Sequence, residues 1–219
     1  MKKLLVTGGT TFVSKYVAEY FVNAGYEVYV LNRNTKPQVQ GVKLIEGDRH
    51  NLTGILKDLS FDVVADITAY NEKDIVDFVN ELGSYEQYTK DGEMKLQFFH
   101  VKDLCKLMEV IIKEKPEEHI LNVGNALAVS IKEWVKKCYE SLGKTPTFVN
   151  VYEDIEQRNY FSFYNYEYYL DVSRQSKIYP ETISLEDGLK DAVEWYLEHS
   201  AEVNKKPYFK FIDENLLES

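Results

Sequence analysis

The sequence predicts an α/β fold, a doubly wound parallel sheet followed by a small C-terminal lobe. Three observations carry this expectation. Leu4, Leu5 and Val6 form an apolar run without charge, as a strand buried on both faces would. Gly8 and Gly9 follow at once, and Phe12, Val13, Tyr16, Val17, Tyr20 and Phe21 then recur at helical spacing. The same alternation of strand and helix returns through residue 82, which implies right-handed crossovers and a ligand at the carboxyl ends of the strands.

Composition narrows the classes. At 219 residues and 25.5 kDa, the chain can bury one substantial core, or one large and one small lobe. Its 44% hydrophobic content is that of a globular protein. A net charge of −10 argues against DNA or an anionic membrane as a general partner, since both need a basic face. Cys105 and Cys138 fall in helical patterns and read as reduced, buried small residues, and no Cys/His spacing suggests a metal site. The apolar run at Leu4 breaks at Thr7, so no signal-peptide core is expected. No stretch is long enough to span a bilayer. A cytoplasmic protein is the expectation.

The first turn is the candidate phosphate cradle. A glycine turn lets the backbone approach a pyrophosphate, and the helix that follows offers N–H groups and the positive end of its dipole. The dinucleotide pattern wants three glycines. Only Gly8 is in place; Thr11 stands at the second position and Ser14 at the third, where helix and strand pack closely. Taken alone, the turn reads equally well as a structural strand-to-helix connection.

The stretch Val6-Thr-Gly-Gly-Thr-Thr-Phe-Val-Ser14 resembles the Thr-Gly-Gly-Thr-x-Phe-x-Gly opening of extended short-chain dehydrogenase/reductases, the NAD-dependent epimerase/dehydratase family. It is most similar to the branch in which the middle glycine is already replaced. The resemblance implies a Rossmann-like sheet, with Gly8, Thr10, Thr11, Phe12 and Val13 holding the cofactor pyrophosphate.

The later elements follow in order. Gly25 ends the first helix and Glu27 to Leu31 reads as a second strand. Asn32, Arg33 and Asn34 come next, where the family decides its cofactor. An acid there would bond the ribose hydroxyls of NAD and repel a 2′-phosphate. Its absence, with Arg33 next and Lys36 nearby, favours NADP over NAD, the alternative being an ordinary exposed loop arginine. Residues 42–46 read as the third strand. The resemblance makes Asp48, with Arg49 beside it, a reader of the adenine amino group. Asp48 reads nearly as well as the cap of a helix with Leu52, Ile55 and Leu56 on one face. Residues 61–67 read as the fourth strand. It ends at Thr68, Ala69 and Tyr70, where relatives place the backbone lining the pyrophosphate and nicotinamide ribose. Asp74 to Leu82 is expected as an amphipathic helix with Ile75, Val76, Phe78, Val79 and Leu82 inward.

Beyond residue 82 the family pattern is interrupted. A fifth strand with a Ser or Thr, a helix with Tyr-x-x-x-Lys and a sixth strand should follow. Instead, from Thr89 the chain runs towards an expected hairpin and His100-Val-Lys-Asp-Leu104, a late family motif. None of the 17 tyrosines has a lysine four residues on; Tyr139 has Lys144 five residues on, off the same helical face. In the family that lysine lowers the tyrosine pKa and orients the nicotinamide ribose, so no catalytic residue is assigned in this chain. Elements of ordinary length would fill the interval with on the order of 60–100 residues. Losing the middle of a parallel sheet removes core from both faces, so Tyr88–Thr89 reads as a seam in the sequence. The rival reading is a degenerate, non-catalytic relative.

In the remainder, His100 reads as a packing histidine and Asp103 as the cap of a helix carrying Leu104, Leu107, Met108 and Ile111. Residues 120–124 read as a strand. Ser130 with Glu133 forms a capping box for a helix whose stripe is Ile131, Trp134, Val135 and Cys138. The aromatic run Tyr160 to Tyr169 either stacks on a base or sugar or packs the C-terminal lobe. Leu170 to Arg174 and Ser184 to Leu189 resemble the family's last elements, with Ala192, Val193 and Tyr196 inward. The expected domains are a dinucleotide-binding domain over 1–125 and a substrate lobe with tail over 126–219. The resemblance implies an NAD(P)-dependent epimerase, dehydratase or reductase acting on a small molecule, a nucleotide sugar, with a homodimer as candidate assembly. The alternative is a non-catalytic NAD(P)-binding protein, acting as a redox sensor or a regulatory or RNA-associated partner; the acidic charge weighs against RNA.

Overall fold

The computed structural model describes residues 1–48, 51–67, 87–91, 94–118, 120–148, 166–180 and 182–201. The chain divides into two compact units, each assembled from separate stretches. Met1–Tyr85, Val101–Leu121 and Lys177–Tyr179 form the first; Glu86–His100, Asn122–Ser176 and Pro180–Ser219 form the second.

The first unit opens with β1 (Lys3–Thr7), α1 (Phe12–Asn23), β2 (Glu27–Asn32), β3 (Lys43–Glu46), α2 (Leu52–Ile55) and β4 (Val63–Ala65). The strands lie in the order β3-β2-β1-β4, all parallel, with Leu5 level with Tyr29 on one side and Val64 on the other. The uncharged run of β1 thus occupies the interior of the sheet. Leu4 and Val6 are fully buried and Leu5 nearly so, each stabilising the fold by about 1.5–3 kcal/mol against exposure.

β4 is shorter than the span 61–67 suggests, because side chains replace its ladder at both ends. Asp62 accepts from the Lys3 amide at 2.7 Å before it. After it, the Thr7 hydroxyl accepts from the Ile67 amide at 3.0 Å and donates to the Asp66 carboxylate.

On one face of the sheet α1 buries Val17, Ala18 and Phe21 completely. The Phe21 ring meets Tyr20 and Tyr26 edge-on, at 5.3 and 5.0 Å between centroids. A further helix, α3 (Val101–Glu114), adds Cys105, Met108 and Ile112 to the same core. The Tyr20 hydroxyl donates to Glu109 of α3 at 3.0 Å. Burial and that carboxylate together push the Tyr20 pKa up to about 12. Asp103 departs from expectation. It lies inside the first turn of α3 rather than capping it, fully buried, and accepts from the Tyr179 hydroxyl at 2.8 Å. A buried carboxylate needs such a donor.

The second unit holds β5 (Gln87–Asp91), β6 (Lys95–Leu96), β7 (Val129–Ser130), α4 (Ile131–Ser141), β8 (Tyr166–Leu170), α5 (Ser173–Ile178) as far as Ser176, and α6 (Leu185–Glu198). β5 runs without a break through Tyr88 and Thr89. Among the described residues the expected hairpin is not seen: β5 pairs antiparallel with β8, and β6 with β7. The Gln97 side chain joins these pieces, donating to the Asn125 and Leu170 carbonyls and accepting from the Leu170 amide at 2.6 Å.

Residues 120–124 are likewise not a strand, and one amide a ladder would use goes to a side chain. Gln175 accepts from the Gly124 amide at 3.0 Å, and Asn122 donates to the Asp171 carbonyl. The capping box at Ser130 and Glu133 is present with both reciprocal bonds, and Trp134 of α4 stacks on Phe98. On α6 the half-buried stripe is Leu185, Leu189 and Val193, in steps of four along one face. Tyr196, expected inward, is 55% exposed, and Ala192 is exposed as well.

Two outcomes follow from the first unit. Gly9 has φ +82°, and a Cβ there would stand 2.5 Å from Val30 Cγ1 of β2. At Gly25 the φ is also +82°, but nothing lies within 4 Å of a Cβ. Gly9→Ala should therefore cost about 1–3 kcal/mol for overpacking beyond the backbone strain that Gly25→Ala also incurs. Urea unfolding of the two variants measures the difference. Burial raises the Cys105 thiol from 9.0 to about 12. The neutral thiol is the form the fold favours, so its contribution is complete below pH 9 and is lost as pH rises towards 12. Titration with an aromatic disulfide reagent at pH 8 should leave Cys105 unreacted until the protein is unfolded.

Candidate functional site

The carboxyl ends of β1, β2 and β4 converge on the glycine turn. Gly8 and Gly9 both adopt left-handed backbone, with φ of 88° and 82°, a region closed to most side chains. Two bonds to β2 fix the turn: the Gly8 amide donates to the Leu31 carbonyl at 2.9 Å, and Asn32 Nδ2 donates to the Gly8 carbonyl at 2.7 Å. The chain then passes Thr10, half-buried, and enters α1 through Thr11 in extended conformation, φ −145° and ψ 149°.

Thr11 supplies no side-chain cap and the first turn of α1 holds no acid. The helix therefore leaves its own positive end uncompensated by its side chains. Ser14, at the third glycine position, is buried, and its hydroxyl donates back to the Thr11 carbonyl at 2.9 Å. That bond accommodates a polar side chain where glycine is usual. The closest approach falls instead between the turn and β2, at Gly9 against Val30, a role the three-glycine pattern does not assign.

Phe12 corrects the reading of the helix stripe. It has φ +50° and is 91% exposed, whereas Val13 is half-buried. As the first residue of α1 it precedes the turn that lies against the sheet, so its place in the helical spacing does not bring it to the core.

The loop after β2 is closed by amides. Asn32 Nδ2 also donates to Gln38 Oε1 at 3.0 Å, while Asn32 Oδ1 accepts from the Asn34 amide at 2.9 Å and from Gln38 Nε2 at 3.3 Å. Asn34, itself left-handed at φ 52°, donates to Glu46 at the end of β3. Arg33 and Lys36 are exposed on this loop. Asp48 is exposed beyond β3, and its carbonyl accepts from the Asn51 amide at 3.0 Å. Asn51, not Asp48, is the residue at the N-cap of α2, and that helix lasts only four residues with Leu52 39% exposed. The capping reading of Asp48 therefore fails, because the helix it would cap starts too far along the chain.

The structure thus brings Gly8, Thr10, Thr11, Phe12, Val13 and Asn32 together around one turn. Arg33 follows on the next loop. Arg49, Ala69 and Tyr70 lie outside the described residues, as does the helix expected over 74–82. Sequence reasoning missed Gln38, since a glutamine in a Pro-containing loop carries no periodic or motif signal. It also missed the tie of Thr7 to Asp66, although a polar residue ending an apolar strand is a sign that could have been read. Among the described residues no group of His, Cys, Asp or Glu could hold a metal, and no helix is long and apolar enough to cross a membrane.

Residues 4–81 match the NAD dependent epimerase/dehydratase family. A low-salt glycan biosynthesis protein of Haloferax volcanii is 24% identical over 108 residues, 49% of this chain and 33% of that protein. The matched stretch thus spans about a third of the length of that relative.

Solved structures align over most of the chain at low identity. The dTDP-glucose 4,6-dehydratase of Bacillus anthracis in complex with NAD superposes with a TM-score of 0.67 at 13% identity, over 92% of this chain and 98% of that one. The Bordetella bronchiseptica enzyme WbmG in complex with NAD and UDP gives 0.64 at 12% identity, over 90% and 96%. An epimerase of Methanothermobacter thermautotrophicus gives 0.64 at 14% identity, over 92% and 94%. Residues 4–81 thus match the NAD dependent epimerase/dehydratase family, and the chain has the Rossmann-like fold of these solved structures.

Proposed function

We propose that this chain binds a nicotinamide dinucleotide at the carboxyl ends of β1 and β2, and that it serves an epimerase, dehydratase or reductase acting on a nucleotide-linked sugar. One observation carries the reading: a left-handed glycine pair ends the central strand and feeds a helix whose N-terminus has neither a side-chain cap nor an acid. The family of residues 4–81 and the dehydratase with NAD among the structural neighbours support it.

In this reading the backbone of Gly8, Thr10, Thr11, Phe12 and Val13 receives the pyrophosphate. Asp48 accepts from the adenine amino group, with Arg49 next in sequence. The family resemblance assigns Ala69 and Tyr70 to the pyrophosphate and nicotinamide ribose. The cofactor, when bound, supplies hydride transfer. This chain's own residues bind and orient it. NADP is the finer choice over NAD, because exposed Arg33 and Lys36 flank a strand end that carries Asn32 in place of an acid.

A second reading, cofactor binding without catalysis, is favoured by the lack of a lysine four residues after any of the 17 tyrosines. Turnover distinguishes the two. Reduction of the nicotinamide with a panel of nucleotide sugars supports the enzyme, and cofactor binding with no turnover across the panel supports the binder. The intact mass of the protein isolated from its cells bears on the same choice. A value near 25.5 kDa joins Tyr88 to Thr89 and favours the binder. A mass greater by roughly 7–11 kDa, the contribution of on the order of 60–100 residues of ordinary elements, together with the absence of any proteolytic peptide spanning Tyr88 and Thr89, supports a segment between them able to carry the acid/base pair. For the cofactor itself, Arg33→Ala should weaken NADPH binding about ten-fold or more while leaving NADH binding little changed, as expected for one lost bond to a charged group. Fluorescence titration of both dinucleotides reads the ratio.

A further inference from the structure

We infer that Gln38 sets the cofactor preference by holding Asn32 turned inward, so that Asn32 buttresses the glycine turn and does not read the ribose. This inference rests on the dinucleotide reading above and goes beyond it by naming a positioning residue.

The argument is one of hydrogen-bond capacity. An asparagine amide offers two donors and two acceptor lone pairs. Both Asn32 donors are used, on the Gly8 carbonyl at 2.7 Å and on Gln38 Oε1 at 3.0 Å. Its oxygen accepts from the Asn34 amide at 2.9 Å and is also reached by Gln38 Nε2 at 3.3 Å. Asn32 therefore has both donors committed and its oxygen already engaged, although it stands at the strand end where dinucleotide folds place their ribose reader. Gln38 takes one of the two donors and adds the second contact to the oxygen, since its amide pairs reciprocally with that of Asn32. Of the two Gln38 Nε2 hydrogens, one goes to the Lys36 carbonyl at 3.0 Å and the other is shared between Asn32 Oδ1 and Asn34 Oδ1, each at 3.3 Å. With Asn32 closed, a 2′-hydroxyl finds no partner there, while a 2′-phosphate still finds the exposed cations Arg33 and Lys36. Removing Gln38 frees one donor and one acceptor on Asn32, the pair that a ribose diol can satisfy.

The test uses the full chain, titrated with NADH and NADPH by fluorescence and with ADP by calorimetry. Gln38→Leu should lower the NADPH-over-NADH preference about five-fold or more, the yield of one recovered hydrogen bond, with ADP binding little changed. Gln38→Glu keeps an acceptor for Asn32 Nδ2 but loses the donor to Oδ1, and should fall between wild type and Gln38→Leu. Asn32→Asp gives a second, opposite-signed test. A ribose reader would bind NADH more tightly with a carboxylate there. A buttress loses both donors and sets a charge against the Gly8 carbonyl, so ADP, NADH and NADPH should all weaken together. An unchanged NADPH-to-NADH ratio in Gln38→Leu, or tighter NADH binding in Asn32→Asp, overturns the inference while the dinucleotide reading stands. A wild-type protein that binds neither dinucleotide overturns that reading, and the inference with it.

Discussion

The packing of Gly9 on Val30 is the constraint on which the rest of the site depends. The central strand must end, reverse its backbone sense and release a helix within a few residues, while β2 presses against the turn from below. A Cβ at Gly9 would overlap Val30 Cγ1, so only glycine lets β2 approach this closely. Because β2 is close, its last residues can bond the turn: Leu31 takes the Gly8 amide and Asn32 holds the Gly8 carbonyl. The direction of α1 and the place of its N-terminus follow from that contact. The geometry of the turn is thus a consequence of strand packing, and in the proposed reading the donors of α1 are preorganised for a phosphate before any ligand arrives.

Where the sequence was readable, the reason was local. The apolar run of β1, the spacing of Val17 and Phe21 and the Ser130–Glu133 box each depend on residues within a few positions of one another, and each folds as read. The parallel sheet followed from alternation of strand and helix, while its order β3-β2-β1-β4 is read from the structure. The candidate turn was legible for the same reason, since its strand, glycines and helix are contiguous.

What could not be read was non-local. β5 finds its partner in β8, whose first residue lies 75 positions beyond the last of β5 when Asp91 is counted to Tyr166, and no local pattern encodes that choice. Residues 120–124 have the composition of a strand, yet Gln175, brought in from far along the chain, takes the Gly124 amide that a ladder would need. Asp103 resembled a cap until Tyr179 supplied the donor that makes its burial tolerable. Asn32 belongs to the same class. Its type pointed to cofactor choice, but the direction of its amide depends on Gln38, six residues away across a loop with no periodicity.

Charge poses the remaining problem, because a chain of net −10 would receive a ligand carrying at least two phosphates. The resolution lies in range. At physiological ionic strength the Debye length is about 8 Å, so most of the surplus carboxylates are screened from the turn. Local groups decide the potential there. The first turn of α1 contributes no acid, its dipole end is positive, and the exposed charges on the loop after β2 are Arg33 and Lys36. Glu46 and Asp66 are opposing charges nearby; Asn34 donates to Glu46 at 3.1 Å and the Thr7 hydroxyl donates to Asp66, which ties each carboxylate into the frame of the turn. An acidic surface and an anion-binding turn are therefore compatible in one small unit. The surface charge governs solubility and the partners that are repelled, while backbone N–H groups and two cations govern what the turn can hold.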